Sequence, residues 1–351
     1  MSSQTAVLLI LGTRTDPHVE RVAREVERRR DAEVFVLDYH DDTRFSLEEN
    51  AAGRIVFQVN GTTLPGRYLV WDRTKLLPGT TLYIRGDETS SGYAAQEWRA
   101  FYKLLCGLNR DRVVNSLEAR SCMIKPYQQA IAASVGFRVP PTLISNDKRS
   151  VQAFQRQNGD RLIMKSVSAG KVGTVGDGGE NIPFVVMTMR VSPEELVAAS
   201  PEEIAYCPHF FQREIQKSHE LRVVVVDDQV LAFRIDSQKH ELSSLDWRKG
   251  MEVAGFAVVS LDEGTVAQIQ AFMRRMGLFM GSLDLIVDPE QQIWFLECNQ
   301  DGAWGWLDDI AEGAITRAFA DGFARRLSAL TGDWASHRST IHEKTAEVGK
   351  A

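Results

Sequence analysis

Ser282-Leu283-Asp284-Leu285-Ile286-Val287 and Ile293-Trp294-Phe295-Leu296-Glu297-Cys298-Asn299 read as two largely apolar strands. The stretch between them, Asp288-Pro289-Glu290-Gln291-Gln292, has the composition of a turn. If Glu290 and Gln291 are its central residues, Asp284 falls directly opposite Glu297. Opposed residues hold their Cβ atoms about 4.5–5.5 Å apart. Asn299 lies two residues beyond Glu297 and so on the same face. Like charges placed opposite each other destabilise a sheet unless something positive sits between them. Two carboxylates and an amide oxygen are the all-oxygen set that Mg²⁺ prefers, completed by waters and phosphates. Alone, the pair reads equally well as two solvent-facing acids on a hairpin. The flanking Leu283, Leu285, Phe295 and Leu296 favour a buried site.

Upstream of this hairpin the spacing predicts strands Phe211–Ile215, Leu221–Val226 and Val230–Ile235, and helix Gly264–Met276. Before these come a helix over Ser121–Val135, strand Thr142–Ile144, helix Asp147–Gln157 and strand Leu162–Lys165. Lys165 ends its strand just before Ser166–Glu180, which carries five of the 26 glycines and reads as a mobile loop. A strand-end cation beside backbone N–H groups is a common way to hold nucleotide phosphates. Lys125 sits in Ile124-Lys125-Pro126 at the head of the predicted helix. Either lysine alone reads more simply as a solvated surface residue. Neither a P-loop nor a G-x-G-x-x-G opening a helix occurs.

The chain opens as β-α-β: strand Ala6–Leu11, helix Pro17–Arg30, strand Glu33–Leu37. Short strand-like runs follow (Arg54–Val59, Tyr68–Trp71, Thr81–Ile84), then an aromatic-rich helix, Ser91–Leu108. Alternating elements of this kind indicate an α/β class. A last helix is predicted over Ile310–Leu330, and the apolar-poor tail beyond it is loosely ordered. With 351 residues the chain is long enough for more than one ordinary core and too short for three. A net charge of −6 argues against nucleic-acid binding. No apolar run approaches the roughly 20 residues needed to span a bilayer, and no signal peptide is evident. The four cysteines show neither paired nor metal-binding spacing, as expected of reduced thiols in the cytoplasm.

The order of these parts resembles the ATP-grasp superfamily, over about residues 120–330. Its marks are a helix lysine, a lysine before a Gly-rich loop, Phe211-Gln212-Arg213-Glu214-Ile215, Glu220-Leu221-Arg222, then Asp284, Glu297 and Asn299. Ile235-Asp236-Ser237-Gln238, Leu245-Asp246-Trp247-Arg248 and Phe295-Leu296-Glu297-Cys298-Asn299-Gln300-Asp301-Gly302-Ala303-Trp304-Gly305-Trp306 are similar to the microviridin-type, or graspetide, branch. Where that branch usually shows F-L-E-I-N-P-N-G-Q-W, this chain has Cys298, Gln300, Asp301 and Ala303. The resemblance implies an N-terminal pre-ATP-grasp α/β domain over 1–118 and a central subdomain with the Gly-rich loop over 119–208. A C-terminal subdomain over 209–332 and a loose tail over 333–351 complete it.

It also implies roles. Lys125 and Lys165 would meet the ATP phosphates, and Lys165 would serve in catalysis as well. Gln212, Glu214 and Ile215 would line the adenine site, the last two through their backbone, and Glu220 would hold the ribose. Arg222 and Arg248 would face the phosphates or the activated carboxylate. Asp284, Glu297 and Asn299 would bind Mg²⁺. The implied reaction is an ATP-dependent, ADP-forming ligation that closes ester or amide rings in a ribosomal precursor peptide. The expected partner is a peptide with a leader and a core of Thr, Ser or Lys with Asp or Glu, without nucleic acid or membrane. Homodimerisation stays open. Two other functions are compatible with these residues: an amino-acid ligase acting on a protein or metabolite, and a non-catalytic ATP-binding regulatory protein.

Overall fold

The computed structural model describes residues 6–39, 43–49, 51, 53, 55–65, 68–74, 88–159, 161–167, 171–175, 181–185 and 187–330. The chain divides into two compact units, one built from residues up to Leu117 together with those from Ala303 onward, the other from Glu118–Gly302.

The first unit opens with β1 (Val7–Leu11), α1 (Pro17–Arg29) and β2 (Glu33–Leu37). Asp16 caps α1 by accepting from the His18 N–H, and Pro17 occupies the first turn, where its missing donor costs nothing. With β3 (Tyr68–Asp72) and β4 (Val113–Val114) these strands form a parallel sheet in the order β2-β1-β3-β4. Every residue of β1 and β3 is buried, as parallel strands covered on both faces require. Helix α2 (Glu88–Leu108) packs Tyr102, Leu105 and Cys106 into this core. A separate antiparallel sheet joins Phe45–Glu49, Ile55–Val59 and Thr62–Thr63. Phe45–Glu49 was not anticipated, because its alternation is too polar to stand out. The strand expected at Thr81–Ile84 lies outside the described residues.

In the second unit the helix expected over Ser121–Val135 is α3 (Lys125–Ser134), and a break separates it from a short helix, Leu117–Ser121, just before it. Pro126 explains the break: it disfavours helical backbone before it and suits the first turn of a new helix. Strands β5 (Thr142–Ser145), β6 (Leu162–Lys165), β7 (Met189–Val191) and β8 (His209–Arg213) form an antiparallel sheet in the order β7-β6-β8-β5. This sheet runs past residue 208, since β8 is paired on both sides within it. The stretch read as a mobile loop, Ser166–Glu180, contributes a strand, Lys171–Val175, paired antiparallel with Asn181–Val185 just beyond it. The glycine count hid the β-branched residues that form it. Ser192-Pro193-Glu194-Glu195 and Ser200-Pro201-Glu202-Glu203 each open a short helix with a capping box.

The second sheet joins β9 (His219–Val226), β10 (Gln229–Ile235), β11 (Phe256–Val259), β12 (Met280–Val287) and β13 (Ile293–Asn299) in the order β11-β10-β9-β12-β13, all antiparallel. Two of its three inner strands, β9 and β12, are buried along their whole length. Helix α4 (Glu263–Met276) lays Ile269, Phe272, Met273 and Met276 against Val223, Val225, Leu283 and Phe295.

The C-terminal helix predicted over Ile310–Leu330 is α6 (Ala314–Ala329), and a separate short helix, α5 (Gly305–Ile310), precedes it. The break falls at Glu312 and Gly313, both at positive φ. Sequence order kept 303–332 with the segment before it. Its contacts instead place it in the first unit, where Phe319 and Phe323 of α6 pack on Trp71 of β3 at 5.2 and 5.5 Å between ring centroids. Arg21 and Arg29 of α1 pair with Asp309 and Asp321. The tail 333–351 lies outside the described residues.

Candidate functional site

Asp284 of β12 and Glu297 of β13 are register partners, reached by a route the turn reading did not contain. The loop has three residues: Asp288 pairs with Gln292, and Gln291 is left-handed with φ 61°. That geometry pairs Val287 with Ile293 and Leu285 with Phe295, one residue out of step with an Asp284–Glu297 pair. A β-bulge at Leu296 absorbs the difference. In consequence Leu296 and Glu297 both line one cleft of the second unit, together with Asp284.

The cleft also gathers Lys125 from the first turn of α3, Lys165 from the end of β6, and Arg248. Lys125 Nζ lies 3.4 Å from Glu297 Oε2. Burial works against the Glu297 charge, but Lys125, Lys165 and Arg248 outweigh it and hold the carboxyl below its ordinary value. Asp284 moves the other way. Burial pushes it up, the Glu297 charge adds to the rise, and Arg222 opposes it. Arg222 Nη1 donates to both Asp284 oxygens at 2.9 Å. Its Nε is buried without a hydrogen-bond partner. Lys165 is pulled down to about 8, first by burial and then, against the Glu297 charge, by Lys125 and Lys217. Arg248 forks onto Asp246, with Nε 2.8 Å and Nη2 2.6 Å from its two oxygens, and is raised above its ordinary value by that pairing.

At the other end the cleft has apolar walls, Pro140, Ile163, Ile215, Trp247, Ile286 and Leu296. Glu214 contributes there, with its side chain held by Arg190 and its N–H given to the Arg161 carbonyl at 2.8 Å. Glu220 is buried against Lys217, whose Nζ donates to it at 2.9 Å; burial still leaves its carboxyl raised.

Eight of the anticipated residues thus share one cleft: Lys125, Lys165, Glu214, Ile215, Glu220, Arg248, Asp284 and Glu297. Three do not line it. Arg222 reaches the cleft only through Asp284. Gln212 is fully buried and donates to Thr142 Oγ1 at 2.9 Å. Asn299 sits at the exposed end of β13, opposite Ser282, and accepts from the Asp301 N–H at 3.0 Å. Sequence reading missed Lys217 and the role of Asp246. It also missed Gly302, where a Cβ would lie 2.6 Å from Arg222 Nη2 and 2.7 Å from Ser282 Oγ. A glycine three residues past the acidic strand was the available signal. Trp304, near the end of the motif, is core: it is fully buried and stacked on Phe319.

The donor set fits a hard divalent cation at the Asp284–Glu297 pair, because two opposed carboxylates titrate apart until a positive charge joins them. Among the described residues no three of His, Cys, Asp and Glu gather at one point. A third protein oxygen would have to be an amide such as that of Asn299. The lysines beside the pair, one of them depressed by burial and by its cationic neighbours, suit a polyphosphate.

No family model matches the chain, and no curated protein does. Solved structures do. The RiPP-associated ATP-grasp ligase of Chryseobacterium gregarium, in complex with ADP and a leader and core peptide, superimposes with a TM-score of 0.78 at 24% identity, covering 94% of this chain and 98% of that one. Macrocyclase MdnC of Microcystis aeruginosa MRC, bound with precursor peptide MdnA, gives 0.72 at 23%, covering 91% and 99%. Macrocyclase MdnB of the same organism gives 0.66 at 25%, covering 91% and 99%. The chain has the ATP-grasp fold of these ligases. No described helix is long and apolar enough to cross a membrane.

Proposed function

From an ATP-grasp fold whose cleft gathers cations around an opposed carboxylate pair, we propose an ATP-dependent ligase that closes side-chain ester or amide rings in a ribosomally made precursor peptide. The observation that carries the reading is the convergence of Asp284, Glu297, Lys125, Lys165 and Arg248. Adenine would lie between Ile163, Ile215, Ile286 and Leu296, meeting the Glu214 carbonyl and the Ile215 N–H. Glu220, held by Lys217, would take the ribose. Lys125 and Lys165 would bind the phosphates. Asp284 and Glu297 would hold Mg²⁺, with Asn299 as an outer oxygen; when bound, the ion neutralises phosphate charge.

A peptide Asp or Glu carboxylate attacks the terminal phosphorus of ATP, ADP leaves, and an acyl phosphate forms. A Thr or Ser hydroxyl or a Lys amine then attacks the acyl carbon, gives up its proton, and expels phosphate. Both steps demand positioning and charge neutralisation rather than covalent help from the protein. Arg248, kept charged and oriented by Asp246, would steady the transferring group, and Arg222 the carboxylate that receives it. The reaction would run in the cytoplasm, where ATP is supplied.

The test is mass spectrometry of a Thr/Ser/Lys- and Asp/Glu-bearing precursor after incubation with ATP and Mg²⁺. Each ring should remove one water and release one ADP. Glu297→Gln should lower the rate by about a hundredfold or more with the fold retained. Added amino-acid mass on the peptide would support an amino-acid ligase instead. ATP binding without ADP release across a set of such peptides would count for a regulatory protein.

A further inference from the structure

Helix α3 carries Lys125, Gln128, Gln129 and Ala132 at i, i+3, i+4 and i+7, one face of a helix. Ala132 enters the core. The three polar members meet three consecutive residues of β13. Lys125 reaches the Glu297 side chain. Gln128 Oε1 accepts from the Cys298 N–H at 2.7 Å, and its Nε2 donates to the Cys298 carbonyl at 3.0 Å. Gln129 Nε2 donates to the Leu296 carbonyl at 3.3 Å, and its Oε1 accepts from Thr142 Oγ1 at 3.2 Å.

Strand β13 is an edge strand: apart from a bridge at Trp294, where the Phe295 N–H donates to the Arg138 carbonyl at 2.8 Å, its outer side has no neighbouring strand among the described residues. Beside Glu297 it is also bulged, which interrupts its ladder with β12. A carboxylate that has to sit opposite Asp284 is thus mounted on the least supported stretch of the sheet. The amide of Gln128 offers Cys298 one donor and one acceptor, as a strand partner would. Gln128 and Gln129 are 2% and 5% exposed. Burying two amides stabilises nothing unless their hydrogen bonds are made, and an apolar pair would pack the same space.

We infer that Gln128 and Gln129 are positioning residues for Glu297: they grip the backbone on either side of it, and so set the affinity of the carboxylate pair for Mg²⁺. This rests on the reading that Glu297 holds the ion. Groups that orient a metal ligand without touching the metal typically change affinity by about 10–100-fold when removed.

The test is calorimetric titration of the full chain with ADP at a series of Mg²⁺ concentrations, and with ADP in chelator. It compares wild type, Gln128→Met, Gln129→Met and Glu297→Gln. Gln128→Met should need about tenfold more Mg²⁺ to reach half of its gain in ADP affinity, while ADP binding in chelator stays at the wild-type value. Gln129→Met, which loses a single carbonyl contact, should shift in the same direction by less, and it carries the test if Gln128→Met does not fold. Wild-type Mg²⁺ dependence in both variants, even with a lowered Tm, would overturn the inference and leave the glutamines as packing. If Glu297→Gln itself keeps the wild-type Mg²⁺ dependence, the metal reading of the cleft fails first, and the inference with it.

Discussion

Lys165 is a base held near neutrality by its surroundings. With a value of about 8 in the free protein, it is mostly charged below pH 8 and loses its proton as pH rises through that value. A phosphate anion favours the charged form, so binding raises the value, and between the free and bound values each ADP bound takes up one proton. ADP affinity should therefore fall by up to about tenfold per pH unit above 8. Lys165→Met should bind more weakly at pH 7 and show no such fall. Calorimetry from pH 7 to 9.5, in buffers of different ionisation enthalpy, reads both affinity and proton uptake. An unchanged slope in the variant would assign the proton to another group. The residue type and its strand-end position were legible in the sequence. The depressed value was not, because it depends on burial and on Lys125 and Lys217, which only folding brings near.

At the scale of elements, the hairpin β12–β13 shows how a correct pairing can have an unexpected cause. A sequence reading counts residues about a turn, and a three-residue loop plus a one-residue bulge returns the same count. Close packing at the base of the hairpin sets a second constraint. A Cβ on Gly281 would lie 2.7 Å from Cys298 Sγ and 3.2 Å from Met273 Sδ and Cε, with α4 behind them. Gly281→Ala should cost about 1–3 kcal/mol, the usual range for overpacking a core. Gly281→Ala with Cys298→Ala should recover part of that loss, because the second change removes the nearest atom. Urea unfolding of the two variants and of Cys298→Ala alone would measure the coupling. Additive losses would show that the strain lies with Met273.

At the scale of the whole molecule, the first unit is assembled from both ends of the chain. His18 of α1 accepts at Nε2 from the N–H groups of Trp304 and Gly305, each at 3.1 Å, and its Nδ1 faces Asp16 Oδ1 at 2.6 Å. Arg73 donates to the other Asp16 oxygen. Helix α5 has no local side-chain cap, so a residue far away in sequence satisfies its first donors. His18→Phe keeps an aromatic ring but strands two N–H groups, one buried and one half-buried, and should lower stability by about 2 kcal/mol. Thermal unfolding and hydrogen exchange at residues 304–310 would check it. A loss under about 0.5 kcal/mol would mean that water reaches those groups.

Residue types and short spacings alone carry the α/β class, the acidic pair opposed across two strands, the strand-end Lys165 and the Asp246-Trp247-Arg248 run. Each is a local pattern, and local patterns survive in one dimension. The bulge beneath Glu297, the glutamine grip of α3 and the return of residues 303–330 to the N-terminal core are not local. They depend on which backbone groups lie unpaired and which apolar faces lie uncovered once the sheets have formed. Those quantities exist only in three dimensions, where an edge strand needs a partner and a helix end needs a cap.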